Sequence, residues 1–278
     1  MHNPLTVMTA LAAGLAGLVT ATQALADQPM DHPGSQATQL DLGGPFRARS
    51  PWRMVVTEGA PAKDYDGGDA PGALTLCLRK GPTAPCVSDP VTVPLHAPSP
   101  GHAAAWEPHY LLTAKLVYPR GPKAAPLLLI VTGSLNAGDG DQRVATQLVR
   151  YDRARDAFRR VYARSTFHNN NQEIRFVTDG PLMGSVIAAE PREHLPHGYW
   201  IVVSKASATG AYRPVLRYRS ATLYNDGNPL AVIDSEMPDI EERLGLWKPG
   251  APIPVPQSMS DGKPCRRPVL RHGELWCG

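Results

Sequence analysis

At 278 residues the chain is long enough for one large domain or two small ones, and 42% hydrophobic residues give it material for a sizeable core. The net charge of +3 is mild and no nucleic-acid-binding module is recognisable, which argues against a nucleic-acid partner. The positive charge is uneven: 21 Arg stand against 7 Lys, and seven Arg fall within Arg143–Arg164, offset only by Asp152 and Asp156.

The first segment, Met1–Ala26, has an uncharged run over Leu5–Ala21 and ends in Ala24-Leu25-Ala26, just before Asp27. That layout predicts a secretory signal peptide over 1–26, although Met1–Pro4 lacks the usual Lys or Arg. Gly14 and Gly17 dilute the run, which is slightly short for a transmembrane anchor. No Cys follows the cleavage pattern, so lipid attachment there is excluded. The mature protein is therefore expected to be soluble, with no later transmembrane segment, in the periplasm or outside the cell.

Asp27–Gly44 is polar and rich in Gly and Pro, and reads as a flexible mature N-terminus. A β domain is expected over 45–248, its core beginning near Trp52–Val56. Strands are predicted at Ala73–Arg79, Tyr110–Tyr118, Pro126–Thr132, Val144–Tyr151, Ala157–Arg164, Glu173–Thr178, Gly184–Ala189, Tyr199–Ser204 and Tyr212–Tyr218. Leu127–Val131 is uniformly apolar, as a central strand buried on both faces requires.

An internal repeat runs at an offset of about 54. Leu148-Val149 aligns with Val202-Val203, Phe158-Arg159 with Tyr212-Arg213, and Val161-Tyr162 with Val215-Leu216; Leu127–Thr132 falls near Leu182–Ala188 after a small shift. The expected class is therefore all-β and antiparallel, with propeller-like repeats or, as the alternative, a β-sandwich.

Asn228-Pro229 offers an N-cap and a first-turn proline, and Leu230, Ile233, Met237, Ile240 and Leu244 follow helical spacing. Pro238 cannot sit inside an unbroken helix. A turn to Asp234 is expected, then one short helix near 236–244, ended by Gly245. The last stretch, 249–278, reads as a proline-rich strap leading into a C-terminal disulfide loop.

In an oxidising compartment four cysteines predict two disulfides. Cys77 and Cys86 flank the turn signal Lys80-Gly81-Pro82, and Cys265 and Cys277 flank a second short excursion, so the local pairs are expected. Their gaps do not suit zinc or a C-x-x-C redox site.

Asp139 and Asp141 lie in a Gly-rich loop and supply hard oxygens. An EF-hand counted from Asp139 fails, because Val144 and Arg150 stand where Gly and Glu are needed. A looser calcium site at Asp139 and Asp141 remains an alternative; otherwise no cofactor is expected. The polar run His168-Asn169-Asn170-Asn171-Gln172-Glu173 precedes a strand. His168 and Glu173 are the candidates for acid–base work, and Asn169, Asn170, Asn171 and Gln172 for binding a sugar hydroxyl. The plainer reading is a turn in which Asn caps its own chain. Arg159 and Arg160 are the candidate contacts to an acidic envelope polymer or an anionic headgroup, since Arg suits bidentate contact with carboxylate and phosphate. The competing reading is a solvated hairpin face.

Glu193–His197 has the wrong order for a zinc protease, and Ser260–Lys263 lacks a helix start for an S-x-x-K site. Asn169–Val177 (NNNQEIRFV), Tyr218–Asp234 (YRSATLYNDGNPLAVID) and Glu274–Cys277 resemble segments of an uncharacterised family of exported bacterial proteins, over most of the mature chain. The resemblance implies export and brings no activity. The expected function is a non-enzymatic binding or envelope-associated module. The alternatives are a hydrolase or lyase acting on an acidic polysaccharide, and a calcium-stabilised domain.

Overall fold

The computed structural model describes residues 38–92, 107–136, 142–168, 173–191, 198–223, 226–254 and 265–277. The expected signal peptide lies outside them. In chain order come β1 (Thr38–Asp41), the one-turn helix α1 (Gly43–Phe46), β2 (Arg53–Glu58), the short pair β3 (Ala62–Lys63) and β4 (Asp69–Ala70), and β5 (Leu74–Arg79). Next are β6 (Tyr110–Val117), β7 (Leu127–Asn136), β8 (Gln142–Asp152) and β9 (Ala157–His168), then β10 (Glu173–Phe176), β11 (Val186–Pro191), β12 (Gly198–Ala206) and β13 (Tyr212–Leu223). The helices α2 (Val232–Ser235) and α3 (Met237–Arg243) and the hairpin β14 (Pro268–Arg271) and β15 (Glu274–Cys277) follow.

The protein is all-β in architecture, built from open antiparallel sheets. β1-β2-β5 form the first, β6-β7-β8-β9 the second and β10-β11-β12-β13 the third, each in chain order. An antiparallel bridge between Leu78 and Val87 extends the first sheet beyond β5. Both expected disulfides are present: Cys77–Cys86 spans that bridge and Cys265–Cys277 closes the last hairpin, with Cα separations of 5.4 and 5.6 Å.

The sheets stack face to face. Trp52, Met54 and Leu78 of the first sheet pack on Leu128, Ile130, Val149 and Phe158 of the second. The opposite face of the second, through Leu127, Leu129, Leu148 and Val161, packs on Phe176, Val186 and Tyr212 of the third. The far face of the third, with Ile187, Ile201, Val203 and Tyr218, is covered by Ile233, Met237 and Ile240 of the helices. The apolar run in β7 thus serves both neighbours, its alternate residues dividing between two cores.

The sequence repeat corresponds to equivalent strands. Both third-to-fourth-strand hairpins carry a β-bulge: β8–β9 pairing shifts between Leu148 and Val149, leaving Val161 unpaired, and β12–β13 pairing shifts between Val203 and Ser204, leaving Val215 unpaired. The extra residue reverses which face the strand presents. Phe158 packs toward the first sheet whereas Tyr162 packs toward the third; Tyr212 packs toward the second sheet whereas Leu216 and Tyr218 pack toward the helices.

One expectation needs correction. The stretch 27–44 is not flexible throughout, because β1 pairs with β2 over Thr38–Asp41 and α1 begins at Gly43. The expected helix near 236–244 is present as α3, and the expected turn before it is the four-residue helix α2. Glu236 separates α2 from α3, and Pro238 falls in the first turn of α3, where its missing amide costs nothing. The strap also ends in a strand pair that the proline content did not announce.

Candidate anion-binding cleft

The tight turn between β8 and β9 is fixed by two carboxylates. Asp152 accepts the backbone amides of Ala154 and Arg155 at 3.0 and 3.2 Å and pairs with the Arg155 guanidinium at 2.9 Å. These hydrogen bonds to Arg155 hold its carboxyl below the ordinary range. Asp156 takes left-handed backbone at φ 45°. Its carboxylate accepts Ser50 Oγ at 2.6 Å, Tyr151 Oη at 2.7 Å and Trp52 Nε1 at 3.0 Å, and lies 3.2 Å from Lys80 Nζ. The turn is thereby tied to the first sheet, and the bonds from Ser50 and Tyr151 depress the Asp156 carboxyl strongly.

Beside this turn lies a cleft of about 830 Å³. It is lined by Arg150, Arg153 and Arg159 from the β8–β9 hairpin, Arg47 from the end of α1, and Lys123 from the β6–β7 connection. Asp152 is the one carboxylate among the lining residues, and it is engaged by Arg155. Arg159 donates to the carbonyl of Thr209 at 2.5 Å and Arg153 to that of Arg47 at 3.2 Å, which orients both guanidinium groups without neutralising them. Arg47, Lys123 and Arg150 form no ion pair among the described residues. Arg150 packs against Gly210, whose φ of 80° and lack of a side chain leave room for the guanidinium. Chemically, the arrangement offers planar donors on several sides of a polar cleft, suited to carboxylate, sulfate or phosphate oxygens.

Of the candidate site residues that lie among the described residues, only Arg159 lines this cleft. Arg160 points to the opposite face, where it donates to the carbonyls of Asp89 at 2.9 Å and of Thr92, and so holds the Asp89–Val91 turn against β9. His168 ends β9 with its backbone opposite Gln142, at the other end of the strand from Arg159. Asn169, Asn170, Asn171, Gln172, Asp139 and Asp141 lie outside the described residues.

Glu173 opens β10. It accepts Arg175 Nε at 2.6 Å and the amide of Ile233 at 3.4 Å, while Arg175 forks onto the fully buried Asp234 at 2.6 and 3.1 Å. Burial pushes the Glu173 carboxyl up, against the pull of Arg175. What this carboxylate does is clamp α2 to the third sheet. Arg47 and Lys123 had no signal in the sequence, because they reach the cleft from remote segments. Arg150 and Arg153 belong to the Arg-rich stretch that composition exposed.

Among the described residues no group of three or more His, Cys, Asp or Glu could hold a metal ion, and no helix is long and apolar enough to cross a membrane. No protein-family model, curated protein or solved structure matches the chain.

Proposed function

We propose that the protein is an exported, non-enzymatic module that binds an anionic ligand in the cleft beside the β8–β9 turn. The observation that carries the reading is five cationic side chains around one polar cleft whose single lining carboxylate is already paired. A carboxylate or phosphate entering it would find guanidinium donors suited to bidentate contact, those of Arg150 and Arg159 partly buried and those of Arg47 and Arg153 exposed. The two disulfides suit an oxidising compartment, in line with the signal-like N-terminus, and acidic polymers of the cell envelope are the partner class that fits both. The finer fold reading that accompanies it is a propeller-like stack, favoured by two successive four-stranded meanders with bulges at equivalent positions.

Calorimetric titration of the mature protein with an oligogalacturonate, at low and high salt, tests the reading. Binding should weaken with salt, and Arg150→Ala with Arg159→Ala should weaken it by about tenfold or more, as loss of charge-assisted contacts implies. Undiminished binding by the double variant would remove the cleft from consideration.

A further inference from the structure

The cationic lining does not stop at the cleft. The second and third sheets face each other across a seam, and the edge of that seam along β9 and β13 is occupied by arginine and aromatic side chains. From the cleft outward, Arg159 touches Thr209, and the Tyr162 and Tyr212 rings meet edge to face at 6.0 Å. Beyond them Arg164 pairs with Glu190 across the sheets. Trp200, opposite both Glu190 and Arg219 in register, has Arg217 stacked 3.9 Å above its ring and Arg219 at 5.2 Å.

The two bulges make this line-up possible. After Val161 and Val215 interrupt the pairing, Tyr162 and Arg164 on one strand, and Arg217 and Arg219 on the other, point into the same seam. Of the four cations Arg159, Arg164, Arg217 and Arg219, only Arg164 forms an ion pair among the described residues, with Glu190. Arg217 and Arg219 are exposed. Burial, and to a lesser degree the nearby Arg217 charge, holds the Arg164 guanidinium below its ordinary value.

The geometry points to a track rather than a point site: the seam binds an extended acidic polysaccharide, one end in the cleft and the remainder along Arg164, Arg217 and Arg219. This rests on the anion-binding reading of the cleft and extends it to a ligand class. From Tyr212 to Arg219 the strand runs roughly 20 Å at ~3.3 Å per residue, longer than a single sugar or headgroup. The chemistry favours a polyuronate over single-stranded nucleic acid. Unspecific nucleic-acid binding uses free aromatic faces for base stacking. Here the Trp200 face carries Arg217, and the two tyrosine rings contact each other.

The test compares galacturonate disaccharide, long-chain polygalacturonate and a single-stranded oligonucleotide, titrated into the mature protein at fixed salt. Polygalacturonate should bind at least about tenfold tighter than the disaccharide, because further contacts along one chain act at high effective concentration. Arg217→Gln with Arg219→Gln, which keeps long polar side chains over Trp200, should abolish that advantage and leave disaccharide binding intact. Circular dichroism confirms that the variant is folded. If the disaccharide binds and the long chain binds no better, or if the double Gln variant retains the advantage, the track is wrong and the cleft reading survives. If neither saccharide binds, both fail. Tighter binding of the oligonucleotide overturns the ligand class.

Discussion

Asp156 and Gly210, separated by 54 residues, occupy the same left-handed position in the third-to-fourth-strand hairpins of two successive sheets, at φ 45° and 80°. The equivalence separates two roles that Asp156 combines. A turn there needs only a residue that tolerates positive φ. The carboxylate adds the bonds to Ser50, Trp52 and Tyr151. Asp156→Gly should keep the turn and lose the tie to the first sheet, lowering the thermal midpoint by several degrees. The folded carboxyl sits below its ordinary 3.8, so its contribution is present above that pH and fades as pH falls through the depressed value. The gap between wild type and Asp156→Asn should therefore close in strong acid; a gap independent of pH would refute this account.

Arg175 pairs with both Glu173 and the fully buried Asp234. Arg175→Met leaves two carboxylates without it, and should cost about 3–5 kcal/mol in urea unfolding. Glu173→Gln keeps an acceptor for Arg175 Nε and should cost less than about 1.5 kcal/mol. Equal losses in the two variants would contradict the clamp.

Glu236 is 1% exposed and accepts Tyr218 Oη at 2.8 Å and Thr222 Oγ1 at 2.6 Å. Burial raises its carboxyl above the ordinary 4.5. The sign follows from linkage: the folded state holds this proton more tightly, so the contribution is complete below that value and is lost as pH rises through the raised one. Glu236→Gln does not titrate. Melting midpoints measured between about pH 4 and pH 8 should shift in the variant's favour as pH rises. Glu173 and Glu241 are also raised by burial, so some slope persists in both proteins. A constant difference would count against the assignment.

Val215 is half-exposed, so its side chain contributes little, yet its position in the bulge sets the facing of the strand beyond it. Val215→Thr should be nearly neutral. Deleting Val215 would turn Leu216 and Tyr218 away from the helices and should prevent cooperative unfolding, read by calorimetry. A cooperative transition in the deletion variant would show that register alone does not carry the packing.

All nine strands predicted beyond the first sheet's start are present, because each is a short apolar run closed by turn residues. The repeat offset was legible because Phe158 and Tyr212 are both buried against the preceding sheet, and Val161 and Val215 take the same bulge position although only Val161 is buried. The bulges were not: one unpaired residue leaves composition unchanged and shows itself only in pairing. Nor was β1, whose Thr38–Asp41 has Leu40 as its single apolar residue and is held by its partner β2. The cleft was half legible. Arg150, Arg153 and Arg159 stand in one charged stretch, whereas Arg47 and Lys123 arrive through long-range folding, which no local pattern encodes.

The covering of the third sheet by α2 and α3 bears on how the molecule ends. A stack in which each layer presents one apolar face backward and another forward has no intrinsic terminus, and could in principle be lengthened by further copies of the same unit. The helices lay Ile233, Met237 and Ile240 over the last forward face in place of another sheet. They act as a stopper: without them Tyr199, Ile201, Val203 and Tyr218 would form a bare apolar face, the kind of surface through which copies of a chain associate.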